Sequence, residues 1–452
     1  MKLNQQQVQH LLLRSGFGDN FRVVQKYVNR SPEDIFDNQL NLATQSFREI
    51  KTDATILPHD QMKALSREQR KEMIKEGLED VRKMNTQWIH EMTHGQSGML
   101  DKMAFFWHDH FACKAREPVF MAQYLQQLRK HALGNFGEML RAVSKSAAML
   151  QYLNNQQNRK MAPNENFARE VMELFTLGRD HQYSEHDISE AARAFTGWGF
   201  DKSGSFIFRE KFHDTESKTV LGKTGNLTGD DVIDLLLEKK QTAQYISEKL
   251  VKYFVNPLGN DDLQKQVADD FYKSNYSIPV ALKTMFTSPA FFESGNIARR
   301  IKSPIELIVT LQRQLFVDID DVKTLIFLQR NLGQMLFDPP NVAGWPDGED
   351  WVDSATLMLR LMLPQYIFKA AIIQSQAGDS FDDNDQFKVG GPVRKLKAHV
   401  DFESLEKSMA HTNDSQIGEF LIQGSKVTLP SSGGSFIDKI VHYTSKPAYQ
   451  LC

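Results

Sequence analysis

Apolar residues recur at helical intervals along most of this 452-residue chain, and strand signals are confined to one short stretch. A segment with that period buries one stripe of its surface, so a chain built from such segments must lay helix on helix. The pattern predicts helices over 69–94, 100–111, 120–143, 167–177, 184–196, 230–255, 281–292, 303–316 and 322–336, and a last one to about 373. The stretch 100–111 is strongly aromatic, and Ser184-Glu185-His186-Asp187 has the form of a helix N-cap. The clearest strand is 205–212, where Phe206, Phe208 and Phe212 share a parity; with 218–221 it predicts one β-hairpin, an insertion over about 203–223.

The organisation expected is mainly α: a bundle-like main domain over 1–373, with the hairpin and a Pro/Gly/Trp-rich loop at 337–351. An acidic, polar run at 374–390 reads as a linker, and 391–452 as a short C-terminal helical subdomain that packs back through Phe436 to Leu451. The chain is long enough to bury a substantial core.

Charge excludes some partners. With 54 Lys plus Arg against 57 Asp plus Glu, the formal charge of −3 gives no reason to expect nucleic acid or a membrane surface. No apolar run approaches the roughly 20 residues that span a bilayer, and the N-terminal residues lack the apolar centre of a secretory signal. A soluble, cytoplasmic protein is expected, unless a partner carries it out. Two cysteines, Cys113 and Cys452, make no disulfide framework.

Four clusters could carry chemistry. The densest is 164–178, where Glu165, Arg169, Glu170 and Glu173 ride on an apolar stripe. Residues three and four apart share a helix face, so Glu170 and Glu173 can point at one place, and Arg169 can reach Glu165 or Glu173. Such carboxylates present ligands to metals in helical bundles, but no His lies on the same turns. The bland alternative is a set of exposed ion pairs, each worth about 0.3 to 0.5 kcal/mol.

The second cluster is Trp107-His108-Asp109-His110-Phe111-Ala112-Cys113, which offers ligands suited to zinc, iron or copper. Residues two apart on an α-helix diverge by roughly 200°, so His108 and His110 cannot share one ion unless the helix ends there. Cys113 reads more simply as a buried small hydrophobe. The third is His213-Asp214, an imidazole and a carboxylate on a turn. The fourth is the 337–351 loop, where Trp345 and Trp351, with Asp347 near by, could stack on a sugar or instead pin the loop. Gly-x-Ser-x-Gly, His-Glu-x-x-His and Gly-x-Gly-x-x-Gly motifs are absent, which leaves standard serine hydrolase, zincin and dinucleotide-binding readings without support.

The blocks Phe106-Trp107-His108-Asp109-His110-Phe111, 164–178, Ala191-Ala192-Arg193-Ala194-Phe195-Thr196-Gly197-Trp198, His213-Asp214, Gly344-Trp345-Pro346-Asp347-Gly348 and Tyr449-Gln450-Leu451-Cys452 resemble the bacterial domain-of-unknown-function family 1800. The resemblance runs from Leu11 to the end and implies bacterial origin, a mostly helical fold and a sulfatase-like or phosphatase-like companion encoded near by. It supplies no reaction. Family members usually carry Glu where this chain has Asp101, and Pro-Glu-Tyr where it has Pro447-Ala448-Tyr449, so neither acidic position is expected to be catalytic.

These readings combine into an expected function: a metal-dependent enzyme, a hydrolase before an oxidoreductase. His108, His110 and His213 would hold a divalent metal ion, Glu170, Glu173 and Asp214 would supply acid–base groups, and Arg169 would orient an anion. Trp345, Asp347 and Trp351 would contact a small-molecule or glycan substrate. The alternative is a non-catalytic helical partner or maturation protein for the sulfatase-like companion, in which the same residues form a buried network.

Overall fold

The computed structural model describes residues 1–45, 47–56, 64–179, 181, 183–377, 396–424 and 434–452. It opens with α1 (Gln5–Ser15), α2 (Phe21–Tyr27) and α3 (Pro32–Gln45), helices beyond the set that apolar spacing singles out. The long α4 (Arg67–His94) leads into α5 (Met99–His110), α6 (Pro118–His131), α7 (Phe136–Ser144), α8 (Ala147–Tyr152) and α9 (Asn166–Met172), which continues as a π turn, Glu173–Leu177. After α10 (Glu185–Ala194) come β1 (Trp198–Phe200), β2 (Phe206–Phe208), β3 (Lys218–Val220) and β4 (Lys223–Gly225). Then follow α11 (Gly229–Glu238), α12 (Lys240–Phe254), α13 (Asp261–Lys273), α14 (Ile278–Thr287), α15 (Pro304–Leu315), β5 (Val317–Asp318), α16 (Val322–Leu332) and α17 (Ser354–Ala377). The chain closes with β6 (His399–Val400), α18 (Phe402–Ser408), α19 (Asp414–Leu421) and α20 (Phe436–Thr444).

The fold is mainly α, with small antiparallel hairpins. Ser184 caps α10 as its sequence predicts: its hydroxyl accepts the Asp187 N–H, and the Asp187 carboxylate accepts the Ser184 N–H at 2.8 Å. Several predicted spans break where a cap intervenes. The 120–143 pattern divides into α6, which ends at His131, and α7, which Asn135 starts by accepting the Glu138 N–H at 3.1 Å. The 230–255 pattern likewise divides at Lys239.

The single hairpin expected over 203–223 is two. β2 pairs with β1, placing Phe206 opposite Phe200, while β3 pairs with β4. The partner strands are only three residues long, Trp-Gly-Phe and Lys-Thr-Gly, too short for alternation to announce them. Of the acidic run at 374–390, residues 374–377 belong to α17 and the rest lie outside the described residues.

Two helices are buried on nearly every side. In α5 only Asp109 is left partly accessible, and α15 is buried throughout. A helix without a wet face must satisfy any charge it carries inside the protein. Lys102 of α5 and Arg300 both form ion pairs with Glu306 of α15, and the other Glu306 oxygen accepts the Ser303 N–H at 2.8 Å. Asp101, one residue earlier, accepts from the Trp88 indole at 2.8 Å and from Arg129 at 2.7 Å, joining α4, α5 and α6. Its carboxylate ties the three helices together.

The C-terminal residues pack back on this body. β6 pairs with β5, the Cys452 N–H donates to the Arg300 carbonyl at 2.8 Å, and the Tyr449 hydroxyl donates to Gln314 of α15 at 2.9 Å. Among the described residues no helix is long and apolar enough to cross a membrane.

Removing the shared anion should cost more than removing one of its cations. Glu306→Gln should lower unfolding stability by about 3 to 5 kcal/mol, and Lys102→Met by less, because Arg300 still pairs Glu306. Denaturant unfolding of the two variants checks the order, and equal or reversed losses would count against it.

Candidate functional site

The C-terminal end of α5 meets α12 and the 337–351 loop, and three polar side chains converge there. Lys249 of α12 donates from Nζ to His110 Nδ1 at 3.0 Å. His110 Nε2 in turn donates to the Phe175 carbonyl at 3.2 Å, an assignment the pairing of both nitrogens requires. Asp109 accepts the Trp345 N–H at 2.8 Å. Asp109 and Lys249 are half-buried and Asp347 is exposed, so the seam opens to solvent.

Loop and π turn explain why these groups meet. Gly344 adopts φ of +93°, and a Cβ there would lie 2.8 Å from the Asp109 carbonyl oxygen and would also run into its carboxylate. Only glycine lets the loop press against Asp109 closely enough for the next N–H to bind it. On the other side, the π turn bonds Thr176 Oγ1 back to Val171 O at 2.7 Å, and Phe175 of that turn supplies the carbonyl that holds His110.

Electrostatics sets the protonation states. Burial lifts the Asp109 carboxyl to about 6, against the pull of Lys249 and the Trp345 N–H, and the like charge of Asp347 adds to the lift. Burial lowers Lys249, with Asp109 opposing. It also drives His110 well below the ordinary imidazole range, and neighbouring Lys249 works in the same direction. At neutral pH the seam holds a neutral imidazole, an ionised carboxylate with a raised pKa and an amine that releases its proton more readily than an exposed lysine.

The residues picked out from sequence divide among the seam, an aromatic interior and two further polar networks. His110 belongs to this seam. His108, two residues back, faces the opposite way as its helical angle requires: Nε2 accepts the Phe337 N–H at 3.1 Å, and its ring packs among Trp88, Tyr124, Phe337 and Trp345. Burial lowers it to about 3, so it stays neutral. Trp345 and Trp351 both turn their indoles into the interior, and Asp347 is the exposed member of the loop trio. Burial also raises the Cys113 thiol, which leaves it the small hydrophobe it resembles.

In the second network Arg169 binds Glu165 at 3.3 Å, Glu173 at 3.2 Å and Glu185 of α10 through both carboxylate oxygens at 2.9 and 2.7 Å. Burial and the neighbouring Glu173 raise the half-buried Glu170 carboxyl. This network touches the first through the backbone: His110 reaches the end of the acidic helix at the Phe175 carbonyl. In the third, His213 Nδ1 donates to the Thr196 carbonyl at 2.9 Å, and Asp214 accepts from Arg193 at 2.7 Å. Among the described residues no three His, Cys, Asp or Glu side chains come together as a metal ion would need. The three imidazoles expected as one ligand set serve three separate places.

Lys249 escaped the sequence reading. One signal could have found it: Tyr245, Lys249 and Tyr253 fall four apart, so a lysine shares its helix face with two aromatic rings, and its Nζ lies 5.7 Å from the Tyr245 ring centroid.

Raising Asp109 from its ordinary 3.8 to about 6 means that the folded chain holds a proton there which the unfolded chain has released. Its contribution is therefore largest at low pH and is lost as pH rises through about 6. That rise corresponds to about 3 kcal/mol, reduced by the partial exposure to about 1 to 2 kcal/mol. Asp109→Asn keeps the acceptor for Trp345 and removes the titration. Its stability relative to wild type should therefore improve by that amount between about pH 4 and pH 7 in paired denaturant titrations, and a flat or opposite difference would refute the assignment.

A family described as "Protein of unknown function (DUF1800)" matches residues 10–450 of the chain. No curated protein and no solved structure matches it.

Proposed function

The chain belongs to that family, whose description names no reaction, and from its own residues we propose that it is an enzyme acting at the Asp109–Lys249–His110 seam, with hydrolysis as the reaction class. The observation that carries the reading is the solvent-open meeting of a raised carboxyl and a lowered amine, held apart from the ordinary ion pairs of the surface. Perturbed acid–base groups in such a place are what proton transfer near neutral pH needs.

In this reading Asp109, ionised above about pH 6, takes the proton from an attacking water. Lys249 offers its N–H groups to the negative charge that develops on the substrate, and its partial burial strengthens that interaction. His110 aims the lysine: its Nδ1 accepts from Nζ while its other nitrogen is anchored to Phe175. Asp347, exposed at the rim, contacts the substrate from the loop in this reading.

The second reading, a non-catalytic partner or maturation protein for a sulfatase-like companion, is favoured by the way Arg169, Arg193 and His213 each tie neighbouring elements together. Those contacts fix helix packing and need no substrate.

A panel of chromogenic phosphate, sulfate, carboxylic ester and glycoside substrates separates the two. The enzyme reading expects turnover of at least one class, with kcat/KM rising through a midpoint near pH 6. Asp109→Asn and Lys249→Met should each lower it by about 100-fold or more, while His213→Ala should leave it within a few fold. Turnover that survives both seam substitutions would sink the enzyme reading. A companion that copurifies while every substrate class stays intact would support the partner reading.

A further inference from the structure

The interior holds more positive charge than it can pair. Arg14, Lys102, Arg300, Lys302 and Arg360 are all buried, and all five feel the charge of Glu306. Lys102 and Arg300 bind that carboxylate directly. Further negative influence inside the cluster comes from Cys452 and Tyr253, and exposed Asp347 acts on Arg300 from the surface. Even with all four counted, the five cations outnumber the anions among the described residues.

The donors are unfilled as well. Arg14 uses its guanidinium on the Tyr253 and Val255 carbonyls at 3.4 and 3.1 Å, and Arg360 on the Lys302 carbonyl at 3.0 Å and Gln450 at 3.3 Å. Yet Arg14 Nε, Arg300 Nε and Nη1, Arg360 Nε and Nη2, and Gln450 Nε2 are buried with no hydrogen-bond partner among the described residues. A buried charged donor left unmet costs several kcal/mol, and chains rarely keep several in one place. Aromatic faces shield only part of this charge: Arg300 lies 4.5 Å over Tyr253 and Lys302 4.0 Å over Tyr449.

We propose that this cluster, centred on Glu306, binds a small oxyanion, a phosphate or sulfate group. Guanidinium forks and a lysine suit such an ion because several N–H groups can meet its oxygens at once. Asp347 acts on both Arg300 and Asp109, so the cluster borders the Asp109 seam, but the proposal needs no catalysis there.

The test is thermal unfolding of the full chain in phosphate, sulfate, phenyl phosphate or chloride at equal ionic strength. Phosphate or sulfate at about 10 mM should raise Tm by about 3 °C or more over chloride. A shift with the inorganic ions assigns the site to the free ion, and one with phenyl phosphate alone assigns it to that group on a larger molecule. Arg360→Met and Lys302→Met should each reduce the shift to the chloride level. No difference from chloride in wild type overturns the proposal, as does a full shift retained in either folded variant, which would mark an adventitious ion only. Should neither variant fold, native mass spectrometry of wild type from phosphate buffer decides: a chain carrying one phosphate supports the site, and the bare chain refutes it.

Discussion

Glu306 ties together the two helices that have almost no wet face. Helices α5 and α15 are apolar enough to be buried whole, and burial makes any charge on them expensive unless it meets its opposite inside. Lys102 and Glu306 meet that condition across the contact, and Arg300 binds the same carboxylate from the segment that leads into α15. A buried pair of this kind adds little net stability over a well-packed apolar contact. Its value is in register, because a slip of either helix would strand a charge in the core.

That register delivers the seam. With α5 held at Lys102, its last turns carry His108 into the aromatic interior, Asp109 to the partly open edge and His110 toward α12. The two imidazoles diverge because residues two apart point in nearly opposite directions on a helix, so one helix end serves two environments. The remaining walls come from irregular backbone. A glycine in the left-handed region brings the Trp345 N–H to Asp109, and a π turn brings the Phe175 carbonyl to His110. Both are places where the chain departs from regular geometry beside polar groups, as functional sites often do.

Much of the helical framework was legible because period and caps are local properties. Ser184 and Asp187 announce the start of α10, and the aromatic density of 100–111 announces a buried helix. The sequence shows one hairpin where the fold has two because strand pairing is a long-range choice: Phe206 and Phe208 show a strand, and nothing local shows that Trp198–Phe200 is its neighbour. The same holds for the polar residues. Arg169 and Glu173 could be paired from their spacing, yet the bidentate contact comes from Glu185, 16 residues away, and Lys249 reaches His110 across 139 residues. Composition could nominate His108, His110 and His213 together. Only the fold separates them into an aromatic core, a polar seam and a hairpin clasp around Thr196.

Asp109 and Lys249 titrate as neighbours in a partly dry seam. The direct measurement is carboxyl-carbon NMR of Asp109 in the wild type and in Lys249→Met. A midpoint near 6 is predicted in the wild type, moving higher once the lysine charge is gone. A midpoint near the ordinary 3.8, or one unmoved by the substitution, would show that the two groups do not titrate together.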